Sequence, residues 1–155
     1  MKKLFAFVAA SLVALTFGSC NNKDQEPEPQ IDVTFDIQVR NIPNDVCCEV
    51  EFTITPSRDD IAWYWNADRP AELYKTNGYK SYYDMATRDL NYQKTIAGHD
   101  YEYLEQWDYI CHGKRTHNIS GGYYPGSDYL IYVCAVDHDL NVISRVAVQQ
   151  FTTLP

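Results

Sequence analysis

Between residues 31 and 40, apolar and polar side chains alternate one for one. Ile31, Val33, Phe35, Ile37 and Val39 fall on one side, and Asp32, Thr34, Asp36, Gln38 and Arg40 on the other. A period of two is that of a half-buried β-strand. Residues 41–45, with Pro43 between two asparagines, turn the chain. Alternation resumes over residues 46–55, with Val46, Cys48, Val50, Phe52 and Ile54 inward, and Pro56-Ser57 closes the run. Two such strands joined by a tight turn make an antiparallel pair with one wet face. Residues 61–65 read as a third strand, in which Trp63 and Trp65 share a face and Tyr64 takes the other.

The period then changes. Pro70 falls in the first turn of a short helix over 71–75, stopped by Asn77-Gly78. Residues 81–97 place Tyr83, Ala86, Leu90 and Ala97 near helical spacing, and Gly98 ends the segment. Asp100 caps a third helix that runs through His112, with Leu104, Trp107 and Cys111 on one stripe and Gly113 as its stop. Strand patterns return at 115–119, at 129–136 and at 142–153, where Val142, Ser144, Val146 and Val148 share a face and Phe151 follows after an irregularity. Residues 121–127 form a long turn and Asp137–Asn141 a hairpin turn.

Strands succeeding strands with turns between them imply a β-sandwich. The run Pro125-Gly126-Ser127-Asp128-Tyr129-Leu130-Ile131-Tyr132-Val133-Cys134-Ala135 resembles the penultimate strand of a fibronectin type III domain, with its P-G-x-x-Y-x-V-x-V-x-A pattern. Tyr129 matches the tyrosine-corner position, and Phe151-Thr152-Thr153 the closing F-x-T. The resemblance covers residues 31–65 and 115–153 and implies a mostly β, fibronectin III/immunoglobulin-like antiparallel sandwich over 31–155. Residues 69–113 depart from it as a helical insertion, which must pack on an outer sheet face or over one end.

The N-terminal thirty residues have a different character. Met1-Lys2-Lys3 is a basic head, residues 4–17 are apolar apart from Ser11 and Thr16, and Phe17-Gly18-Ser19-Cys20 ends the run. This is the layout of a secretory signal, and the apolar stretch is too short for a membrane span, which takes about 20 residues. Its last four residues resemble a bacterial lipobox, with Phe17 where leucine is usual. The resemblance implies cleavage after residue 19 and acylation of Cys20, so that the membrane becomes a partner through that residue. The acidic, proline-containing segment 20–30 is then a disordered tether. The expected place is the outer membrane, lipid-anchored and facing either the periplasm or the exterior.

Charge narrows the partners. With 21 acidic against 13 basic residues the chain lacks the clustered Lys and Arg of a nucleic-acid footprint. Export permits disulfides among Cys47, Cys48, Cys111 and Cys134, for which four cysteines allow three connectivities; buried free thiols are the alternative. Asp137-x-Asp139-x-Asn141 opens like a calcium loop, but Val142 and Val148 stand where the loop needs glycine and glutamate, so a hairpin turn is expected. Cys111, His112 and His117 lack the paired spacing of a structural zinc site. His99, Asp100 and His112 have no nucleophile motif beside them. Neither a cofactor nor enzymatic activity is expected.

The aromatic residues carry the remaining signal. All 13 tyrosines lie between Tyr64 and Tyr132, in the same part of the chain as Trp63, Trp65 and Trp107. Many must pack in the core, but a helical segment so rich in tyrosine cannot bury every ring, and tyrosine is a low-entropy contact residue at recognition surfaces. Tyr64, Tyr79, Tyr82, Tyr83, Tyr101, Tyr103 and Tyr109 are the expected ligand-binding residues, and a glycan or an envelope protein the expected ligand. A protein-contact inhibitor, a pilus-type structural component and, more remotely, a small hydrolase are the other readings.

Overall fold

The structure, a computed structural model, describes residues 27–44 and 47–155; the side chains of residues 68 and 69 are not among those described. The expected signal segment, Cys20 and most of the expected tether therefore lie outside the described residues, as do Asp45 and Val46. At the tether's end the Gln30 and Ile31 amides donate to the Ile143 carbonyl at 2.9 and 3.0 Å. The folded domain thus takes hold of the chain at residue 30.

Among the described residues, seven strands and three helices follow in the order β1 Phe35–Ile42, β2 Glu49–Pro56, β3 Ala62–Pro70, α1 Ala71–Thr76, α2 Tyr82–Thr95, α3 Tyr101–Gln106, β4 Ile110–His112, β5 Arg115–Ser120, β6 Asp128–Ala135 and β7 Ala147–Thr152. They form two antiparallel sheets, one ordered β1-β2-β5 and the other β4-β3-β6-β7. The inner faces meet in one core. Val50, Phe52 and Ile54 of β2 pack against Trp63 and Trp65 of β3 and Ile131, Val133 and Ala135 of β6. The expected mostly β sandwich is observed, and the alternations face as read over residues 31–40 and 47–55: Val33, Val50, Phe52 and Ile54 are buried, and Ile31, Phe35, Ile37, Val39 and Cys48 pack against the same core.

A second core lies on the opposite face of the four-stranded sheet. There Tyr64, Leu130, Tyr132 and Cys134 meet Met85, Ala86 and Leu90 of α2 and Leu104 of α3. The helical insertion thus covers an outer sheet face, making a third layer, and β6 is buried on both sides from Tyr129 onward. Continuous burial explains why β6 reads as an unbroken apolar run and not as an alternation. Helix α2 starts where Ser81 Oγ accepts the Asp84 amide at 3.1 Å and Asp84 in turn accepts the Lys80 amide, an N-cap that satisfies orphan donors of the first turn. Among the described residues no helix is long and apolar enough to cross a membrane.

Two sequence expectations are corrected. The third helix ends at Gln106 and does not reach His112. Asp108 takes a left-handed conformation (φ 57°) that breaks the helix, and Ile110–His112 instead pair with Ala62–Tyr64 as the edge strand β4. Closing that open edge of β3 satisfies backbone groups that a longer helix would leave unpaired. Strand β7 begins only at Ala147, not at 142. Before it, Val142 makes a single bridge to Val136, and buried Ser144 Oγ accepts the Ala135 amide at 2.8 Å in place of a ladder carbonyl. Asp137–Asn141 is the expected hairpin turn: Asp137 Oδ1 accepts the amides of Asp139 and Asn141.

Candidate functional site

The seven predicted tyrosines separate into three groups. Tyr64 is fully buried, which corrects its expected place among the ligand-binding residues. It does take the face opposite Trp63 and Trp65, but that face is roofed by α2. Its hydroxyl donates to Asp89 Oδ2 at 2.8 Å, the Asn66 side-chain amide donates to the same oxygen at 3.1 Å, and the Tyr132 hydroxyl makes a third, short bond there. Burial, and then the charge of Asp89, hold the Tyr64 hydroxyl well above the usual tyrosine range, so it remains a donor. This buried polar knot ties the insertion to the sheet.

Tyr79, Tyr82, Tyr83 and Tyr101 are half-buried and pack around the edge of the second core. Tyr82 lies against Tyr74 with ring centroids 4.5 Å apart, the Arg88 guanidinium sits 5.4 Å above Tyr79, and the Tyr83 hydroxyl reaches the Val142 carbonyl at 3.4 Å. Tyr101 stacks on His138 at 4.6 Å. Each of these rings already packs against a neighbour within the domain.

Tyr103 and Tyr109 are exposed, and two residues absent from the predicted set join them. Trp107 is 60 % exposed and Tyr92 54 %. Tyr92, His99, Tyr103, Trp107 and Tyr109, with the amides of Asn66 and Gln93, line a groove of about 430 Å³. On the other side of Trp107 and Tyr109 lies a second groove of about 350 Å³, lined by Trp65, Asp108, Thr116, His117 and Asn118. Asn66, Trp107 and Tyr109 belong to both. The two grooves therefore form one trough crossed by an aromatic ridge.

The trough is held from beneath. Trp65 Nε1 donates to the Asp108 carbonyl at 2.7 Å, and the Trp65 ring lies 6.3 Å from that of Tyr109. The Tyr109 amide donates to the Leu104 carbonyl at 2.9 Å and its own carbonyl accepts the Trp65 amide at 3.2 Å. His99 stacks on Tyr103 at 3.9 Å with its ring nitrogen 2.9 Å from Gln93 Oε1. The left-handed turn at Asp108 is what lifts Trp107 off the helix stripe and into solvent. The helical spacing places Trp107 on one stripe with Leu104 and Cys111, as the middle of a longer helix. The available signal was Tyr109-Ile110-Cys111, a β-prone triplet immediately after it.

The other candidate chemistry disperses. Asp100 caps α3 by accepting the Tyr103 amide, His99 faces Gln93, and His112 Nε2 lies 3.0 Å from Glu105 and 3.4 Å from the Tyr101 hydroxyl. His99 and Asp100 share a small groove with His138, and His112 does not line it. Cys111 and His117 are near neighbours (Sγ to Nε2, 3.8 Å), while His112 is exposed on the opposite side of β4. Burial pushes the Cys111 thiol up to about 12 and the His117 imidazole down, so the pair is neutral and not a thiolate–imidazolium. No group of three or more His, Cys, Asp or Glu among the described residues could hold a metal ion. All four described cysteines are free thiols. Cys111 is the register partner of Trp63 and Cys134 that of Tyr64; they project to opposite faces of the sheet and could not be bridged.

What the geometry offers chemically is a largely uncharged trough of ring faces and side-chain amides. Comparison of the chain with protein-family models, with curated proteins and with solved structures finds no match to any of the three.

Proposed function

We propose that this chain is a lipid-anchored cell-envelope protein with a single fibronectin III-like domain that binds glycans through its helical insertion. Four strands in the order β4-β3-β6-β7 facing three in the order β1-β2-β5 suit that fold. So does Tyr129, whose hydroxyl accepts the Tyr124 amide at 2.8 Å, five residues upstream, as a tyrosine corner does. The anchor rests on the signal-like segment ending at Cys20. Two acyl chains suffice for stable membrane attachment.

The observation that carries the recognition reading is the exposure of Tyr92, Tyr103, Trp107 and Tyr109 around one trough. Large rings on a folded domain are costly to leave in water, and exposed apolar patches mark interaction sites. Pyranose rings present a face of weakly positive C–H bonds, which suits the negative face of an aromatic ring; their hydroxyls suit Asn and Gln amides. A binding module also fits the dispersal of His99, Asp100 and His112 better than a catalyst does.

A polysaccharide array probed with the detergent-solubilised full-length protein tests this. Trp107→Ala is expected to weaken the detected binding by about 30-fold, the factor that a hot-spot loss of about 2 kcal/mol gives, without lowering thermal stability, since Trp107 packs mainly against solvent. Binding indifferent to Trp107→Ala and to Tyr103→Ala, or no glycan binding at all, would remove the reading.

A further inference from the structure

We infer that the ligand is an uncharged glycan chain, laid across the Trp107–Tyr109 ridge so that successive sugar residues occupy both grooves. The inference rests on the glycan reading above and narrows it by charge and by length.

Charge comes first. Apart from the tyrosines, His99 is the one ionisable side chain along the first groove among the described residues, and no lysine or arginine lines either groove among them. The second groove adds the carboxylate of Asp108 and an imidazole, His117, held in its neutral form by burial. The chain as a whole carries a formal charge of -8. The positive charge of Arg115 reaches His117 from outside the lining, but the carboxylate of Asp108 outweighs it there, so a uronate or sulfate entering this trough would lose hydration with little countercharge to gain, and would meet a protein of its own sign. Hydroxyl groups need only the amides and hydroxyls that are there: Gln93 on one side, Thr116 and Asn118 on the other.

Length follows from the shared wall. Trp107 and Tyr109 present surface to both grooves. A monosaccharide fills one side of the ridge and leaves the other wet. A chain that crosses the ridge uses both, and the second contact is made at high effective concentration once the first is in place.

Isothermal titration of the detergent-solubilised full-length protein decides it. The probes are neutral β-glucan, mannan, xylan and arabinogalactan oligosaccharides, from single sugars upward. Oligogalacturonate and chondroitin sulfate fragments of matching length are the acidic counterparts. At least one neutral series is expected to bind, with a tetrasaccharide at least about 10-fold tighter than its monosaccharide. Its affinity should be insensitive to added salt. Asn118→Ala should weaken the tetrasaccharide several-fold. An acidic series that binds as tightly through Trp107 overturns the inference while leaving glycan recognition standing, and so does a monosaccharide equal to its tetrasaccharide. Silence from every probe overturns both.

Discussion

Asp89→Ala is expected to destabilise the domain by about 4 kcal/mol, because it leaves several buried donors without their acceptor at once. Asp89 is 3 % exposed, and its Oδ2 accepts from the Tyr64 and Tyr132 hydroxyls and the Asn66 amide. Each buried donor left unsatisfied costs about 1–3 kcal/mol, and partial relaxation brings the sum below the simple total. In a domain of this size the loss corresponds to roughly a 12–16 °C fall in melting temperature, readable by circular dichroism. The compensated variant Asp89→Leu with Tyr64→Phe and Tyr132→Phe should recover a substantial part, since removing both sides of a buried hydrogen bond costs far less than removing one. A triple variant no more stable than Asp89→Ala would show that the site matters for something other than polar satisfaction. The consequence reaches the trough: Asn66 lines both grooves, so loosening its amide should also weaken ligand binding.

The second large effect concerns the other end of the chain. On the proposed lipid anchor, the wild-type protein is expected wholly with the membrane, and Cys20→Ser should yield one that is released or left as an unprocessed precursor. Buried methylenes contribute about 0.8 kcal/mol each, so two acyl chains hold where a single one gives only marginal, reversible binding. Fractionation of cells expressing each form, with mass spectrometry of the N-terminal peptide, reads the result. A protein whose wild-type Cys20 carries no acyl group, or whose Cys20→Ser form stays fully membrane-bound at its processed length, would contradict the anchor.

The strands were legible where one face is wet. Residues 31–40 and 46–55 alternate because β1 and β2 have water on their outer side, so a period of two survives in the sequence. Tyr64 shows the limit of that signal. Its placement opposite Trp63 and Trp65 follows from the period alone, but its burial depends on Met85, Leu90 and Leu104 arriving from the insertion, a tertiary fact that no local pattern records. Trp107 failed in the opposite sense. Leu104, Trp107 and Cys111 are spaced as a helix stripe, yet the need of β3 for an edge partner and the turn at Asp108 end α3 at Gln106. At the last strand, valines at 142, 146 and 148 read as one continuous run, whereas the Ser144 hydroxyl interrupts the ladder between them. The tyrosine-rich insertion was thus identifiable as the part of the chain where exposed rings gather, and the particular rings were not. Of the seven named, Tyr103 and Tyr109 line the trough, and Tyr92 and Trp107 complete it.

The three tryptophans offer the most direct check on where a ligand sits. Trp107 is exposed on the ridge, Trp65 lies beneath it with its indole N–H on the Asp108 carbonyl, and Trp63 is sealed in the sandwich with its indole N–H on the Gly113 carbonyl. Nitrogen-15 NMR of the full-length chain in detergent micelles, titrated with a bound oligosaccharide, should move the Trp107 indole signal most, Trp65 less and Trp63 not at all. Perturbations that spare Trp107 and gather instead around Pro43, Cys48 and Leu154, which line a groove at another part of the molecule, would contradict the assignment of recognition to the aromatic trough.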